Sequence, residues 1–341
     1  MIKNVTNKRI DELDYIRGFA LLGIILVNIL AILSIGTPKP NTMDASYQRF
    51  LYLFVEGRFF PIFSFLFGVG FYIFLTRAIE KGQNGYVLFL RRIAALLVFG
   101  IIHMIYQPGE ALKIYAVCGL IILPFYKVKK EINLVLGIIL TIYLASIGGK
   151  TGLPIALILL GLTAGQYKLF ENLLGKTKQV VIFTCITLVL SVVGVYYQYQ
   201  HVPSLPFDTM IVHVEGSSTV EQHVKFMEIG IAIGPIISAF YVGLLILLLQ
   251  TKVFRTILAP LKYYGRMALT NYVGQTAMIL LVSEWLNLRF TMTYMQSLYV
   301  CISIYIFQII FSFIWMKFFK MGPLEWIWRM ITYKKVMPIK K

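Results

Sequence analysis

Long runs of apolar residues, separated by short polar and basic segments, make up most of this chain. A helix needs about 20 apolar residues to cross the hydrocarbon core of a bilayer. The pattern therefore predicts an all-α fold, a polytopic transmembrane helix bundle of about ten spans. The third and sixth are short, so each is a candidate for half of a broken helix. The predicted spans are Gly18–Gly36, Phe59–Thr76, Ile93–Tyr106, Ala111–Tyr126, Ile132–Gly148, Leu153–Gln166, Val180–Tyr199, Phe226–Gln250, Met267–Leu286 and Gln296–Met316.

After the last apolar run the pattern changes to that of an amphipathic helix. Leu324, Ile327, Trp328 and Ile331 recur at helical spacing, and charged residues interrupt the run. A helix of this kind lies in the plane of the membrane interface. We therefore predict one integral membrane domain over residues 1–341, with a spanning bundle at 18–316 and a cytoplasmic interfacial tail at 317–341.

Composition supports a membrane protein and excludes other classes. Apolar residues make up 58% of the 341 residues, charged residues 14%, and the mean hydropathy is +0.77. Soluble domains carry roughly 25% charged residues. A soluble enzyme, a disordered chain and a disulfide scaffold are therefore excluded. The three cysteines lie inside apolar runs, and their spacing predicts no metal site.

The distribution of positive charge predicts the orientation. The net charge is +17, and the segments that an inside N-terminus would place in the cytoplasm hold 25 of the 32 Lys and Arg residues. Cytoplasmic loops carry such an excess. Both termini are therefore predicted to be cytoplasmic, in a bacterial-type cell (plasma) membrane. Expected partners are membrane lipids and a small-molecule or lipid-linked substrate. No nucleic acid is expected, because the cations lie in membrane-flanking loops, and the oligomeric state is left open.

The histidines and most of the isolated carboxylates fall on the predicted outer side. His201, His213 and His223 are interpreted as solvated loop residues. His103 differs, because it ends the third span seven residues before Glu110. A His and a carboxylate at a helix mouth that admits water form a candidate proton-transfer pair. The alternative is a histidine at headgroup level that is satisfied by water.

Polar residues inside apolar spans are costly and need a reason. Asp14 and Arg17 are three residues apart and are predicted to pair. Asn28 lies about three helical turns beyond Arg17 on the same stripe. Asn271 and Gln275 share a face of the ninth span. These residues either line a substrate pathway or form hydrogen bonds between helices.

Two further features concern the second and third spans. Glu56 and Arg58 precede the second span and are interpreted as an outer charge pair. Glycines 68, 70 and 100 are candidates for close approach between helices.

Several motifs, taken together, resemble one known family. They are Asp14-x-x-Arg17-Gly18 within Arg9–Asn28, then Gly57–Gly70, Gly100–His103 with Tyr115 and Ala116, Gly265–Tyr272, and Gly322–Arg329. In these stretches the chain resembles the YeiB-like family, whose carboxy-terminal half is named domain of unknown function 418. The resemblance covers nearly the whole chain.

That family is more distantly similar to transmembrane acyltransferases that acylate sugars across a membrane. The likeness lies in the Asp-x-x-Arg-Gly first helix and the Gly-rich second helix. Those acyltransferases use a non-cytoplasmic His in the segment after their first span. Here the corresponding segment, Thr37–Arg58, contains no His and offers Asp44, Glu56 and Arg58. His103 with Glu110 is the histidine–carboxylate pair that this chain offers instead.

Two functional hypotheses follow, with a non-catalytic scaffold as a third. In the first, a membrane-bound acyltransferase takes an acyl-CoA donor into a cytoplasmic pocket near Arg17, Arg91, Arg92 and Arg266. His103 then deprotonates an acceptor at the outer face. Acyl-CoA enters as a donor substrate, and no cofactor is expected. In the second, a transporter or exporter of a small or lipophilic molecule, proton-coupled through the same groups, uses Asn28, Asn271 and Gln275 as its pathway.

Overall fold

The computed structural model describes residues 9–207 and 218–341, so His213 lies outside the described residues. These residues fold into α-helices joined by short connections and two 3-10 turns, at Leu123–Lys127 and Leu173–Lys176. The α-helices, in chain order, are α1 (Asp11–Ile32), α2 (Met43–Phe54), α3 (Phe59–Glu80), α4 (Gly85–Met104), α5 (Leu112–Ile122), α6 (Lys130–Ser146), α7 (Leu153–Gln166), α8 (Thr177–Tyr199), α9 (Ser218–Leu249), α10 (Lys252–Ile257), α11 (Ala259–Arg266), α12 (Ala268–Leu286), α13 (Tyr294–Phe318) and α14 (Pro323–Tyr333).

Every predicted span coincides with a helix, and within residues 9–207 and 218–341 six helical segments are long and apolar enough to cross a membrane. This confirms an all-helical, multi-pass membrane protein. The six segments are Asp11–Ile32, Met43–Glu80, Gly85–Met104, Thr177–Tyr199, Glu221–Leu249 and Tyr294–Phe318. The remaining predicted spans form the shorter or less apolar helices α5, α6, α7 and α12. A count of ten crossings and cytoplasmic termini stay predictions.

Two details of the predicted spans are corrected. The third span is a full helix of 20 residues, because α4 begins at Gly85, where Asn84 accepts a hydrogen bond from the backbone N–H of Val87. The segment after the first span also contains a helix, α2, which hydropathy does not reveal. It begins where Thr42 accepts from the backbone N–H of Ala45. Its alternating polar residues lower its mean hydropathy below that of a span.

Glycines allow the closest contacts between helices, as predicted for Gly68 and Gly100. A Cβ added at Gly68 would lie 2.0 Å from the carbonyl oxygen of Ile158, so α3 and α7 touch backbone to backbone. At Gly100 it would lie 2.5 Å from the backbone nitrogen of Lys113, which brings α4 against α5. Gly265 makes the same contact between α11 and α1, where an added Cβ would lie 1.9 Å from the Asp14 oxygen.

Asn271 and Gln275 tie helices together through a buried hydrogen-bond network. Asn271 donates to the Tyr264 carbonyl and to Ser312, each at 2.9 Å. Gln275 donates to the Tyr264 hydroxyl at 2.7 Å, and that hydroxyl donates to Gln308 at 3.0 Å. The network joins α11, α12 and α13. Of the two roles that the sequence allows for Asn271 and Gln275, a substrate pathway or hydrogen bonds between helices, the structure shows the second.

The carboxy-terminal helix is amphipathic, as predicted, but its apolar face packs on the bundle. Leu324 and Trp328 contact the main hydrophobic core, and the Trp328 indole donates to the Arg92 carbonyl at 2.8 Å. Glu325 accepts from the backbone N–H groups of Leu269 and Thr270, at 2.7 and 3.1 Å. These are the first residues of α12, so Glu325 satisfies donors that a helix start leaves free. Helix α14 therefore packs on the bundle through Leu324, Trp328 and Glu325, and its position at the membrane interface stays a prediction.

Candidate active site

Two adjoining cavities lie among α1, α3, α4 and α14. The inner cavity has a volume of about 380 Å³, and the basic vestibule beside it about 490 Å³. Both volumes are within the range of small-molecule sites, about 300–1,000 Å³. The two cavities adjoin along the residues that line both of them, Arg9, Arg17, Gly70, Arg92 and Arg329.

Positive charge dominates the lining of these cavities. Among the residues that the structure describes, the linings hold seven cationic side chains and two carboxylates, Asp14 and Glu325. Burial, and then the charge of Arg9, lower the pKa of Arg266. Such a cluster suits an anion, above all a phosphate that arginine can contact with two N–H groups. The cations are Arg9, Arg17, Arg77, Lys81, Arg92, Arg266 and Arg329.

Asp14 and Arg17 pair on α1, as their spacing predicts. Arg17 donates to Asp14 at 3.1 Å, and Arg9 donates to both Asp14 oxygens at 2.5 and 2.9 Å. The Asp14 side chain is only 1% exposed, whereas Arg9 and Arg17 are 49% and 27% exposed. Asp14 therefore orients two arginines whose remaining N–H groups face the cavities.

Arg92 is held between aromatic rings at the boundary of the two cavities. Its guanidinium carbon lies 3.5 Å from the Trp328 ring centroid and 5.0 Å from that of Phe74. The acyl-CoA hypothesis places Arg91 beside Arg92 in the cytoplasmic pocket. Among the residues that the structure describes, Arg91 lines neither cavity.

The rest of the inner cavity is apolar. Its wall includes Phe63, Leu66 and Leu96, and also Ala111, Leu112, Tyr115 and Tyr272. The cavity therefore joins a cationic region to an apolar one, which suits a ligand with a phosphorylated head and an acyl chain. Ala111 and Leu112 directly follow Glu110 in the chain, but neither Glu110 nor His103 is among the described residues that line either cavity.

His103 and Glu110 contact each other in a buried cluster behind that wall. The Nδ1 atom of His103 faces the Glu110 carboxylate, and its Nε2 lies 2.8 Å from the Thr276 hydroxyl. Glu110 also accepts from the backbone N–H of Leu112. The His103 ring packs against that of Tyr272, with centroids 5.0 Å apart. Both ring nitrogens of His103 therefore have a partner in the described part of the chain, Glu110 at Nδ1 and Thr276 at Nε2.

The burial of this pair corrects one expectation. The sequence placed His103 at a helix mouth that admits water, but His103 is 5% exposed and Glu110 is 4% exposed. The reason is that α12 covers the end of α4 and supplies Thr276 and Tyr272. His223 is also buried, at 8%, and packs against Phe207, so it is not a solvated loop residue. His201 is partly exposed and contacts the Tyr197 carbonyl.

Glu56 and Arg58 form no ion pair with each other; Arg58 instead donates to the backbone carbonyl of Glu56. The Glu56 carboxylate pairs with Lys150, and Glu56 raises the pKa of that lysine. Arg58 is 1% exposed and donates to Gln198 at 2.6 Å and to the carbonyl of Gly230 at 3.0 Å. Arg58 therefore links α3 to α8 and α9. A positive φ at Gly57 turns the chain between the two side chains.

Comparison with known proteins shows to which family the chain belongs. Residues 164–335 match the model of a protein of unknown function, DUF418. An uncharacterized 39.9 kDa protein in the amylase 3'region of Bacillus acidopullulyticus is 54% identical over 98% of this chain and 96% of its own length. The chain belongs to the DUF418 family. The uncharacterized proteins YxaH of Bacillus subtilis and YeiB of Escherichia coli are 26% and 25% identical over 99% of the chain, and over 97% and 98% of their own lengths.

The other half of this DUF418 protein matches a second model. Residues 9–172 match heparan-alpha-glucosaminide N-acetyltransferase, catalytic. This region contains Arg17, Arg92, His103 and Glu110. The inner cavity takes its walls from both halves, since Gly265–Arg329 supplies the opposite side. The acyltransferase-like region and the DUF418 region thus share one cavity.

Sequence reasoning missed several residues of this site in the DUF418 protein. The sequence assigns no cavity role to Arg9, Arg77 or Arg329, although Arg9 and Arg329 lie in the family motifs, and it does not identify Thr276 and Tyr272 as partners of His103. Thr276 lies one residue beyond Gln275 on a span that was already recognised as polar. Asn28, Asn271 and Gln275 line neither cavity in the described part of the chain. Arg17 and Arg266 do line the inner cavity, as the acyl-CoA hypothesis expects.

Proposed function

We propose that this protein is a membrane-bound acyltransferase that moves an acyl group from a cytoplasmic acyl-CoA to an acceptor at the outer face. The observation that carries the proposal is the inner cavity, which runs from an arginine cluster to the residues that flank the His103–Glu110 pair. Along α4, Arg92 and His103 are eleven residues, or roughly 16 Å, apart. The arginine cluster and the His103–Glu110 pair therefore lie at different depths of the bundle.

The arginine cluster binds the phosphates of CoA. Arg17, Arg92 and Arg329 line both cavities, so they lie where a phosphorylated head and its extended arm would meet. Charge-assisted hydrogen bonds of this kind contribute about 1.5–3 kcal/mol each. The arm and the acyl group occupy the apolar part of the inner cavity.

Proton transfer at the far end drives the reaction. The acceptor hydroxyl attacks the thioester carbonyl, its proton passes to Nε2 of His103, and the C–S bond breaks as the new C–O bond forms. CoA then leaves as a thiol after taking that proton. Glu110 orients the ring and stabilises the imidazolium that forms, and Thr276 holds Nε2 before the acceptor arrives.

The match to an acetyltransferase catalytic model supports this function, and the positive-inside charge pattern supports its orientation. The basic vestibule is built from segments assigned to the cytoplasm, and His103 from one assigned to the outer face, in a cell membrane. The transporter hypothesis makes a different prediction, because a transporter has no need of CoA.

Binding of acetyl-CoA to the purified protein tests the proposal. Calorimetry on the wild type should give saturable binding, with longer acyl-CoAs compared in parallel. Arg329→Gln and Arg92→Gln should each weaken binding about 10- to 100-fold, through loss of a phosphate contact. Arg91→Gln is the matched control, since it removes the neighbouring cation outside both cavities. If acyl-CoA does not bind, or if all three variants bind equally, the proposal is wrong.

A further inference from the structure

Lysines without acidic partners gather around the end of α13. Residues 317–341 hold six lysines and a single carboxylate, Glu325, which is already used at the start of α12. All six lysines are exposed, and none forms an ion pair within residues 9–207 and 218–341. The lysines are Lys317, Lys320, Lys334, Lys335, Lys340 and Lys341.

Cations that pack against the start of α1 do have acidic partners. Lys262 pairs with Asp11 at 2.5 Å, and Arg255 pairs with Glu12 at 2.7 Å. Like charges that gather on one surface repel one another and destabilise the fold. A lysine cluster that the chain itself leaves without carboxylates therefore suits an anion from outside the chain.

The end of the chain folds back so that its lysines join those at the end of α13. The backbone N–H of Lys320 donates to the Ile339 carbonyl at 2.8 Å, and that of Lys341 donates to the Phe318 carbonyl at 3.0 Å. Four of the six lysines thus belong to two short segments that are held side by side. We call this surface the tail clip, residues 317–320 and 339–341.

A row of aromatic rings on α13 leads from the middle of that helix to the tail clip. Phe307, Phe311, Trp315 and Phe319 follow one another at helical spacing, with successive ring centroids 6.3, 5.6 and 4.1 Å apart. Phe307 is 57% exposed, so the row begins on a surface that faces lipid. Tryptophan is enriched at the depth of the headgroups. The row therefore offers contacts to acyl chains, and the lysines beyond it lie at headgroup depth.

We propose that the tail clip binds an anionic phospholipid of the leaflet on the predicted cytoplasmic side. A cluster of about four to eight cations directly after a spanning helix is typical of sites for anionic headgroups. The phosphate lies among the lysines of the tail clip, and the acyl chains lie along the aromatic row. This inference is independent of the proposed function, because the described residues that line the two cavities include no lysine of the tail clip.

Native mass spectrometry of the protein in a neutral maltoside detergent tests this binding. The probes are phosphatidylglycerol and phosphatidylcholine with identical acyl chains. The wild type should bind phosphatidylglycerol about 30-fold or more tightly than phosphatidylcholine. Lys320→Gln/Lys340→Gln should lose about 30-fold of this preference, because each lysine near a lipid surface contributes about fivefold. The matched control, Lys178→Gln/Lys252→Gln, removes two exposed lysines elsewhere on the predicted cytoplasmic side and should bind like the wild type.

Thermal unfolding separates a lipid-binding role of these lysines from a structural one. In vesicles of phosphatidylcholine, Lys320→Gln/Lys340→Gln should have an unchanged or higher Tm, because two like charges are gone from one surface. A ligand that binds the folded state raises the Tm. An equimolar mixture of phosphatidylcholine and phosphatidylglycerol should therefore raise the Tm of the wild type more than that of the variant.

Four results would overturn the inference. They are equal binding of the two lipids by the wild type, an unchanged preference in Lys320→Gln/Lys340→Gln, an equal loss in the control variant, and a lowered Tm in phosphatidylcholine alone. Displacement of phosphatidylglycerol by inorganic phosphate would overturn it too, because the site would then take free anions. Acetyl-CoA binding to the cavities is measured separately, so failure of the lipid site leaves the proposed function standing.

Discussion

At the scale of single residues, the site combines buried anions with partly exposed cations. Asp14 and Glu110 are almost fully buried; Arg9 and Arg17, the partners of Asp14, line both cavities, whereas His103, the partner of Glu110, is buried with it. Asp14 thus orients two more exposed arginines, while Glu110 and His103 form a pair that is shielded from water as a whole. The effect of a substitution on activity or stability therefore depends on whether it removes the carboxylate of a pair or the carboxylate's partner.

His103 is the residue on which turnover should depend most. His103→Ala and His103→Gln should each reduce acyl transfer about 100- to 10,000-fold, the usual contribution of a positioned proton-transfer group. Because the pair is buried, His103→Ala also leaves Glu110 without its partner and should lower the Tm, while His103→Gln keeps a hydrogen bond and should lower it less. Rates and unfolding curves of both variants check this, with His201→Ala as control. Full activity of His103→Gln would remove the catalytic claim.

Asp14 should matter more to stability than either arginine. Asp14→Asn removes the shared partner of Arg9 and Arg17, and breaking a buried pair costs about 3–5 kcal/mol. The cost should lie near the low end, about 3 kcal/mol, because the arginines remain partly solvated. Glu12→Gln breaks an exposed pair with Arg255 and should cost about 0–1 kcal/mol. Equal unfolding midpoints for the two variants would contradict this account.

At the scale of helices, backbone contact positions the walls of the cavity. Gly68 and Gly70 lie two residues apart on α3, and they face different neighbours. Gly68→Ala would force α3 away from α7 and should destabilise by about 1–3 kcal/mol. A Cβ at Gly70 would meet only the Arg17 side chain, at 3.5 Å, so Gly70→Ala should keep the fold. Thermal unfolding of both variants in the same detergent tests the contrast, which equal losses would refute.

Helix α14 should make stability depend on pH through Glu325. Burial raises the pKa of this carboxyl above its ordinary value of about 4.3, although hydrogen bonds from Thr270 oppose the shift. An acid with a raised pKa in the folded state contributes most stability below its unfolded pKa. That contribution falls as pH rises toward the folded pKa. The Tm of the wild type relative to Glu325→Gln should therefore decrease from pH 4 upward and then level. A difference that grows with pH would show the opposite shift.

The hydrophobic pattern predicts where the helices lie in the chain, but not what each helix face contacts in the folded protein. All predicted spans are helices, since apolar runs of this length have few other folds. Whether the apolar face of α14 meets lipid or protein is not encoded in its periodicity, because both are apolar. The sequence does not show which of the neighbouring residues Arg91 and Arg92 lines the cavities, because this depends on which side of α4 faces them. The burial of Arg58 was missed because its acceptors are backbone carbonyls and the distant Gln198.

At the scale of the whole molecule, the account requires a fixed orientation in the membrane. After replacement of Cys118, Cys185 and Cys301, a cysteine at Ser204 in the exposed connection after α8 should react with an impermeant maleimide from outside. A cysteine at Gln83, between α3 and α4, should react only after permeabilisation. The reverse pattern would place the basic vestibule outside the cell, away from any acyl-CoA.

The central claim is that one cavity joins a CoA site to the His103–Glu110 pair, and a density map of the protein with bound acetyl-CoA tests it most directly. The account predicts that the phosphates lie among Arg9, Arg17, Arg92 and Arg329. The thioester should lie beside Leu112 and Tyr272, within reach of Nε2 of His103. Density for CoA at any other place, or a map without CoA at saturating concentration, would contradict the account.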